Sequence, residues 1–161
     1  MTESQSTDAP AARELSFERI LDVPREAVWR CWTEPDLMTR WFTPAPWKTV
    51  AADLDLRPGG RSNVTMQSPE GELYPNAGVY LDVVPGRRLT FTDAFVEGWR
   101  PSGKAFMVGT IELEDAGPGK TRYRATVRHW SAEDCKQHEA MGFHAGWNAA
   151  ADQLVEVAKT L

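Results

Sequence analysis

Residues 23–42, VPREAVWRCWTEPDLMTRWF, constrain this chain more than any other stretch. They spell two short helices back to back, each opened by a proline. Pro24 and Pro35 suit a first helical turn, where a missing N–H costs nothing. After Pro24 the apolar residues Ala27, Val28, Cys31 and Trp32 fall at i, i+1, i+4 and i+5. After Pro35, Leu37, Met38, Trp41 and Phe42 repeat that spacing. Each helix therefore carries one apolar stripe. The break Thr33-Glu34-Pro35 is too short to let the helices drift apart. With a strand before the pair and several after it, the pattern predicts a folded-back helical pair pressed against a sheet. Large aromatics lie at the seam, which can either fill a core or line a pocket.

The rest of the chain reads as strands and a last helix. Leu15–Asp22 is the first strand. From Val50 to Arg57, Ala52, Leu54 and Leu56 alternate with Asp53, Asp55 and Arg57, the pattern of a strand with one wet face. Pro58-Gly59-Gly60 is a turn, and Ser62, Val64 and Met66 share a face of the next strand. Gly78–Val84, Arg87–Ala94, Ala105–Glu114 and Thr121–His129 are further strands; Tyr123, Ala125 and Val127 share a face in the last. Residues 96–104 form a longer loop bearing Trp99, a candidate lid unless it folds back on the sheet edge. Short turns between the strands favour antiparallel pairing. The chain closes with a helical pattern from Ser131 to about Thr160, with Ser131 and Asp134 at capping spacing. Phe143, Trp147, Ala151, Leu154, Ala158 and Leu161 form its buried stripe. If continuous, this helix spans about 45 Å. It can lie across a bent sheet and leave room beneath.

Bulk properties narrow the class. At 161 residues, one domain is expected over 13–161, after a polar tail at 1–12 expected to be disordered. A net charge of −5 and no run of Lys or Arg argue against nucleic acid or anionic membrane as the main partner. No stretch has the length of a membrane span, and the tail lacks the apolar core of a secretory signal, so a cytoplasmic protein without membrane insertion is expected, monomer or homodimer. Cys31 and Cys135, far apart, read as two reduced thiols. Cys135 and His138 stand at i, i+3 on a helix, but His144 turns to another face, His129 precedes the helix, and no second Cys/His pair completes four ligands. No metal and no cofactor are expected. The turn Arg57-Pro58-Gly59-Gly60 is not followed by the lysine of a P-loop, and no G-x-S-x-G elbow occurs.

Four stretches carry a family resemblance: FERILDVPREAVWRCWTEPDLMTRWF at 17–42, LRPGGRSNVTM at 56–66, GVYLDVVPGRRLTFTDAF at 78–95 and HEAMGFHAGWNAAADQLVEV at 138–157. They resemble the activator-of-heat-shock-protein-90-ATPase homologues of the START-like, or birch-pollen-allergen-like (Bet v 1-like), SRPBCC superfamily. The resemblance covers nearly all of the chain after the tail. It implies an α+β helix-grip fold: a curved antiparallel sheet of about seven strands wrapped around a long C-terminal helix, with two short helices after the first strand. It also implies a hydrophobic cavity between sheet and helix, since many relatives bind lipids, sterols, polyketides or other apolar molecules and some are cyclases or related enzymes. The eukaryotic co-chaperone has a separate N-terminal region that engages its chaperone, whereas only the short tail precedes the first strand here.

The candidate ligand-binding residues are the aromatics Trp41, Phe91, Phe95, Phe143 and Trp147, with Met66, Met107 and Tyr80. Each fills an ordinary core equally well. The catalytic candidates are Asp93, Tyr80 and His144. Asp93 follows Leu89 and Phe91 in strict alternation unless the strand ends first, and His144 lies within a turn of Trp147 unless it faces solvent. Gly142 and Gly146, each costing about 1 kcal/mol inside a helix, either clear space beside a ligand or permit close packing or a kink. The leading expectation is a binder of a small hydrophobic molecule. An enzyme of the cyclase, dehydratase or hydrolase type, and a chaperone-associated protein-binding module, are the alternatives.

Overall fold

The structure, a computed structural model, describes residues 10–161. Of the expected tail, residues 1–9 lie outside the described residues, while Pro10–Arg13 form a 3₁₀ turn that leads into the first strand. Strand β1 (Glu14–Leu21) is followed by α1 (Arg25–Thr33) and the single turn α2 (Pro35–Met38). Pro24 is the N-cap of α1, with extended backbone, rather than its first helical residue; Pro35 takes the first helical position of α2. The helices part at Glu34, whose backbone is extended because the following proline disfavours the helical conformation there. Ala27, Val28, Cys31 and Trp32 are all buried, as are Leu37 and Met38. The Trp41 indole N–H donates to the Cys31 carbonyl at 2.8 Å, tying the second segment back onto the first.

Strands β2 (Lys48–Leu54), β3 (Ser62–Gln67), β4 (Leu73–Asn76), β5 (Val79–Val84), β6 (Arg88–Thr92), β7 (Phe95–Val96), β8 (Arg100–Pro101), β9 (Met107–Asp115) and β10 (Thr121–His129) follow. Five of the strands form one antiparallel sheet in the order β1-β10-β9-β6-β5; β2-β3-β4 form a second, and β7-β8 a two-residue hairpin. The two larger sheets meet where the Ser62 N–H donates to the Gly78 carbonyl at 2.9 Å and the Tyr80 N–H to Gly60 at 3.0 Å, so the wall of strands continues around a corner. Relative to the seven strands expected, β4, β7 and β8 are additional. β4 is exposed throughout and holds Pro75, and β7 and β8 are two residues each, so none displays the half-buried alternation that marks a strand in sequence.

The C-terminal pattern is not one helix. Ser131 caps α3 (Ala132–Ala140), its hydroxyl accepting the Asp134 N–H at 3.1 Å. The chain then turns at Met141-Gly142 and resumes as α4 (Phe143–Ala158). Gly142 sits at φ +97°, a left-handed conformation that glycine adopts without steric cost. Burial explains why the segments need not be collinear. In α3 only Cys135 is buried, whereas α4 buries Phe143, Ala150, Ala151, Leu154, Val155 and Ala158. The 16 residues of α4 span about 24 Å, and Leu161 lies beyond the helix, 45% exposed, rather than in the stripe.

Helix α4 packs on α1 and β1, and Leu154, Val28 and Leu21 form part of a core with essentially no exposure. Each such side chain contributes about 1.5–3 kcal/mol of burial. Gln153 secures the connection after α2. Its amide N–H groups donate to the carbonyls of Trp41 (2.8 Å) and Thr43 (2.9 Å), and its oxygen accepts the Ala45 N–H at 2.9 Å. Cys31 and Cys135 are free and buried.

Candidate functional site

Below α3 and the start of α4, the bent wall is not filled. A hollow of about 390 Å³ lies between β3, β5, β6 and α3, bounded by Val64, Tyr80, Leu89, Phe91 and Met107. A second, of about 400 Å³, lies under α4 against Trp41, Phe143, Gly146 and Trp147. Trp32, Phe42, Met66, His138 and Met141 line both, so the two adjoin. Local sequence builds this shape. Phe91 stands opposite Gly109 in the β6–β9 register, and a Cβ there would lie 2.8 Å from the Phe91 ring, so the missing side chain lets the ring lie across the sheet. Gly146 faces Pro44, with nothing nearer than 4.0 Å to a Cβ placed there, so it leaves space at the second hollow. Trp32 stacks on Trp147 with centroids 6.2 Å apart and planes 20° apart, close to the shared boundary.

Polar groups are few. Tyr80 is buried, and burial pushes its phenol up to about 12 despite the opposing hydrogen bond from Ser62, so it remains an un-ionised hydroxyl at neutral pH. Asp93 follows the last residue of β6. Its Oδ1 accepts the backbone N–H groups of Phe106 (3.0 Å) and Met107 (3.2 Å), pinning the entry to β9. It also lines the first hollow. His138 of α3 is hydrogen-bonded to His129, the last residue of β10, with His138 Nδ1 2.8 Å from His129 Nε2. The other nitrogen of His129, Nδ1, lies 2.9 Å from the Arg13 carbonyl. The Phe106 ring packs on both imidazoles, and Phe143 meets His138 edge-on. Burial, and secondarily the neighbouring His129, lowers the pKa of His138 from the ordinary imidazole value.

Comparison with known families agrees with this geometry. The family model described as "Activator of Hsp90 ATPase homolog 1-like protein" matches residues 22–159. The chain belongs to this family. Protein NE0264 from Nitrosomonas europaea is 42% identical, with 94% of this chain and 97% of that one covered and a TM-score of 0.90. Two more distant structures share the fold. Protein Ms6760 from Mycobacterium smegmatis is 23% identical over 95% of each chain, TM-score 0.78. An AHSA1-like protein from Aeromonas hydrophila is 22% identical over 91% of this chain and 92% of its own, TM-score 0.68. No curated protein matches the chain. The architecture is the helix-grip fold of the START-like superfamily, with its C-terminal helical segment in two pieces.

Of the sequence-derived candidates, Met66, Tyr80, Phe91 and Met107 line the first hollow, and Trp41, Phe143 and Trp147 the second; Met66 belongs to both. Two candidates lie elsewhere. Phe95 does not continue the Leu89–Phe91 face, because β6 stops at Thr92 and the chain turns; its ring packs edge-on against Trp99 at 5.6 Å. His144 is one residue past the buried Phe143 and so about 100° around the helix. It is exposed, and its Nε2 stands 3.6 Å from Glu139. Trp99 lies on the Pro58–Gly60 turn, its indole 2.7 Å from the position a Gly59 Cβ would take, rather than over the hollow.

The His129–His138 pair, Phe106 and Met141 escaped the sequence reading. One signal was available: the inward face of β10, Tyr123, Ala125 and Val127, leads in alternation to His129, which is indeed buried. A histidine ending a buried face calls for a partner. Nothing local says that the partner is His138, nine residues on across a turn.

Proposed function

We propose that the protein binds a small hydrophobic molecule in the adjoining hollows beneath α3 and α4. The observation that carries this reading is their combination of size and lining: about 390 and 400 Å³, bounded mainly by aromatic and methionine side chains, with few polar groups. That size and chemistry suit a compact apolar ligand, for which burial contributes about 25 cal/mol per Å² and a few polar groups set the orientation. Met66, Met107 and Met141 supply adaptable surface. The enzymatic alternative has weaker support. Asp93 already accepts two backbone amides through Oδ1, and the Tyr80 phenol is too weak an acid at neutral pH to give up its proton readily.

Native mass spectrometry of the protein purified from its own host tests the proposal, with naphthalene binding followed by tryptophan fluorescence as a defined probe. Trp147→Ala is expected to weaken naphthalene binding while the protein remains folded by circular dichroism. A protein that carries no small molecule and does not respond to naphthalene overturns the reading.

A further inference from the structure

The hydrogen bonds around the two histidines determine where their protons sit. The Arg13 carbonyl can only accept, so His129 Nδ1 must carry its hydrogen. In a neutral imidazole the other nitrogen is then a bare acceptor, so the 2.8 Å contact requires His138 to donate from Nδ1. His138 Nε2 is left as a lone pair. It has no hydrogen-bond partner among the described residues, and His138 lines both hollows. Tyr80, Asp93, Ser62, Asn76 and Thr92 are the other polar side chains on the first hollow, and a bare acceptor on this largely apolar lining is costly for a ligand to cover without a donor. The Asp93 carboxylate on the same lining disfavours an anionic ligand. We propose that His138 Nε2 is the polar anchor of the cavity, and that the ligand is an uncharged apolar molecule bearing a hydroxyl that donates to it, an alcohol or phenol. This rests on the cavity-binding reading and specifies its ligand class. His129 is the positioning residue: held by the Arg13 carbonyl, it selects the His138 tautomer and fixes the ring.

The relay also sets a pH response. The vacant proton site of the pair is His138 Nε2, and a proton there converts the acceptor into a donor. The charged and titratable groups on the surrounding elements are Arg13 on the turn, Glu14 of β1 paired with Arg128 of β10, and His144 of α4 facing Glu139 of α3. Within α3, Cys135 lies one turn before His138; Asp93 shares the hollow. Below the ordinary imidazole range a bound hydroxyl must therefore reverse its role, its oxygen accepting from the protonated Nε2 instead of donating to it, and a ligand without a hydroxyl has no such bond to reverse.

The experiment compares 2-naphthol with naphthalene on the intact chain. The hydroxyl is expected to strengthen binding about tenfold, the usual scale for one well-made hydrogen bond. His138→Phe is expected to remove that preference, the ratio of the two affinities falling from about ten to about one. Because that variant leaves His129 without its donor and can fail to fold, ¹⁵N NMR of the wild-type imidazoles provides a second, independent measurement. Both histidines should be protonated at Nδ1 at neutral pH, and 2-naphthol should shift the His138 Nε2 resonance. Equal affinity for the two probes, or a hydrogen on His138 Nε2 in the free protein, overturns the anchor while leaving the cavity reading intact. Failure of both probes to bind overturns the cavity reading and the anchor with it.

Discussion

The two ends of the C-terminal segment meet the same wall of strands differently. Where α4 crosses α1 and β1, polar atoms are spent on nearby partners: the Trp32 indole donates to the Tyr123 hydroxyl at 3.0 Å, the Trp41 indole to Cys31, and Gln153 holds three backbone groups. Beneath α3 the lining is equally aromatic, yet the rings of Phe42, Phe91 and Phe106 leave space, and one imidazole nitrogen remains without a partner. The residue types hardly differ between these regions. What differs is that α4 from Ala150 onward has a continuous buried stripe to bring it onto the sheet, whereas α3 has only Cys135 and the first two turns of α4 only Phe143. A hollow here is the consequence of a helix with too narrow an apolar face to descend onto the strands.

Substitutions at the two ends should separate stability from binding. The largest effect is expected at the filled end. Leu154 has no exposure, and Leu154→Ala should cost about 3 kcal/mol in denaturant unfolding while leaving the affinity of the folded protein for naphthalene unchanged. A matching loss of affinity would show that the two ends are not independent. Next comes Gln153→Ala, which strands the carbonyls of Trp41 and Thr43 and the Ala45 amide. Solvent reaches part of that site, so a cost of about 2 kcal/mol is expected in chemical denaturation, accompanied by faster amide exchange at Ala45.

Gly142→Ala probes the hinge itself. Nothing lies within 4 Å of a Cβ at this position, so the effect is purely conformational: an alanine held at positive φ should cost about 1 kcal/mol in thermal unfolding. If the variant is instead stabilised, α3 and α4 have merged into one helix and the hollow's roof depends on the glycine. The smallest effect is expected from pH. His138 is harder to protonate when folded than when unfolded, so the unfolded chain takes up the proton first as pH falls. Its contribution is absent well above pH about 6.5 and turns destabilising below it, levelling off under the lowered folded value. His138→Phe should flatten that part of the stability profile; an unchanged slope between the two proteins would place the titration on another group.

Much of the fold could be read locally. Ala27, Val28, Cys31 and Trp32 announce a helix facing inward, and Leu89 with Phe91 or Tyr123 with Ala125 announce strands, because a period of 3.6 or 2 is written in consecutive residues. The hollow's lining was partly readable for the same reason, since Met66, Phe91 and Trp147 lie on faces that point inward. The misplaced candidates, Phe95 and His144, each sit just past the point where a regular pattern stops or turns away. Periodicity extrapolated by a few residues has no means of registering a strand end.

The sequence by itself determined the order of the helical pair and the seven main strands, and most of the inward faces, because each follows from residue type at short spacing. Only the tertiary structure decided that Gly142 is a hinge rather than a tolerated glycine within one long helix, since both conformations are open to glycine and the choice depends on what lies beneath. It alone brought His138 to His129 and left Nε2 vacant. A vacancy of this kind is set by the positions of groups from several elements at once, and no stretch of consecutive residues contains that information.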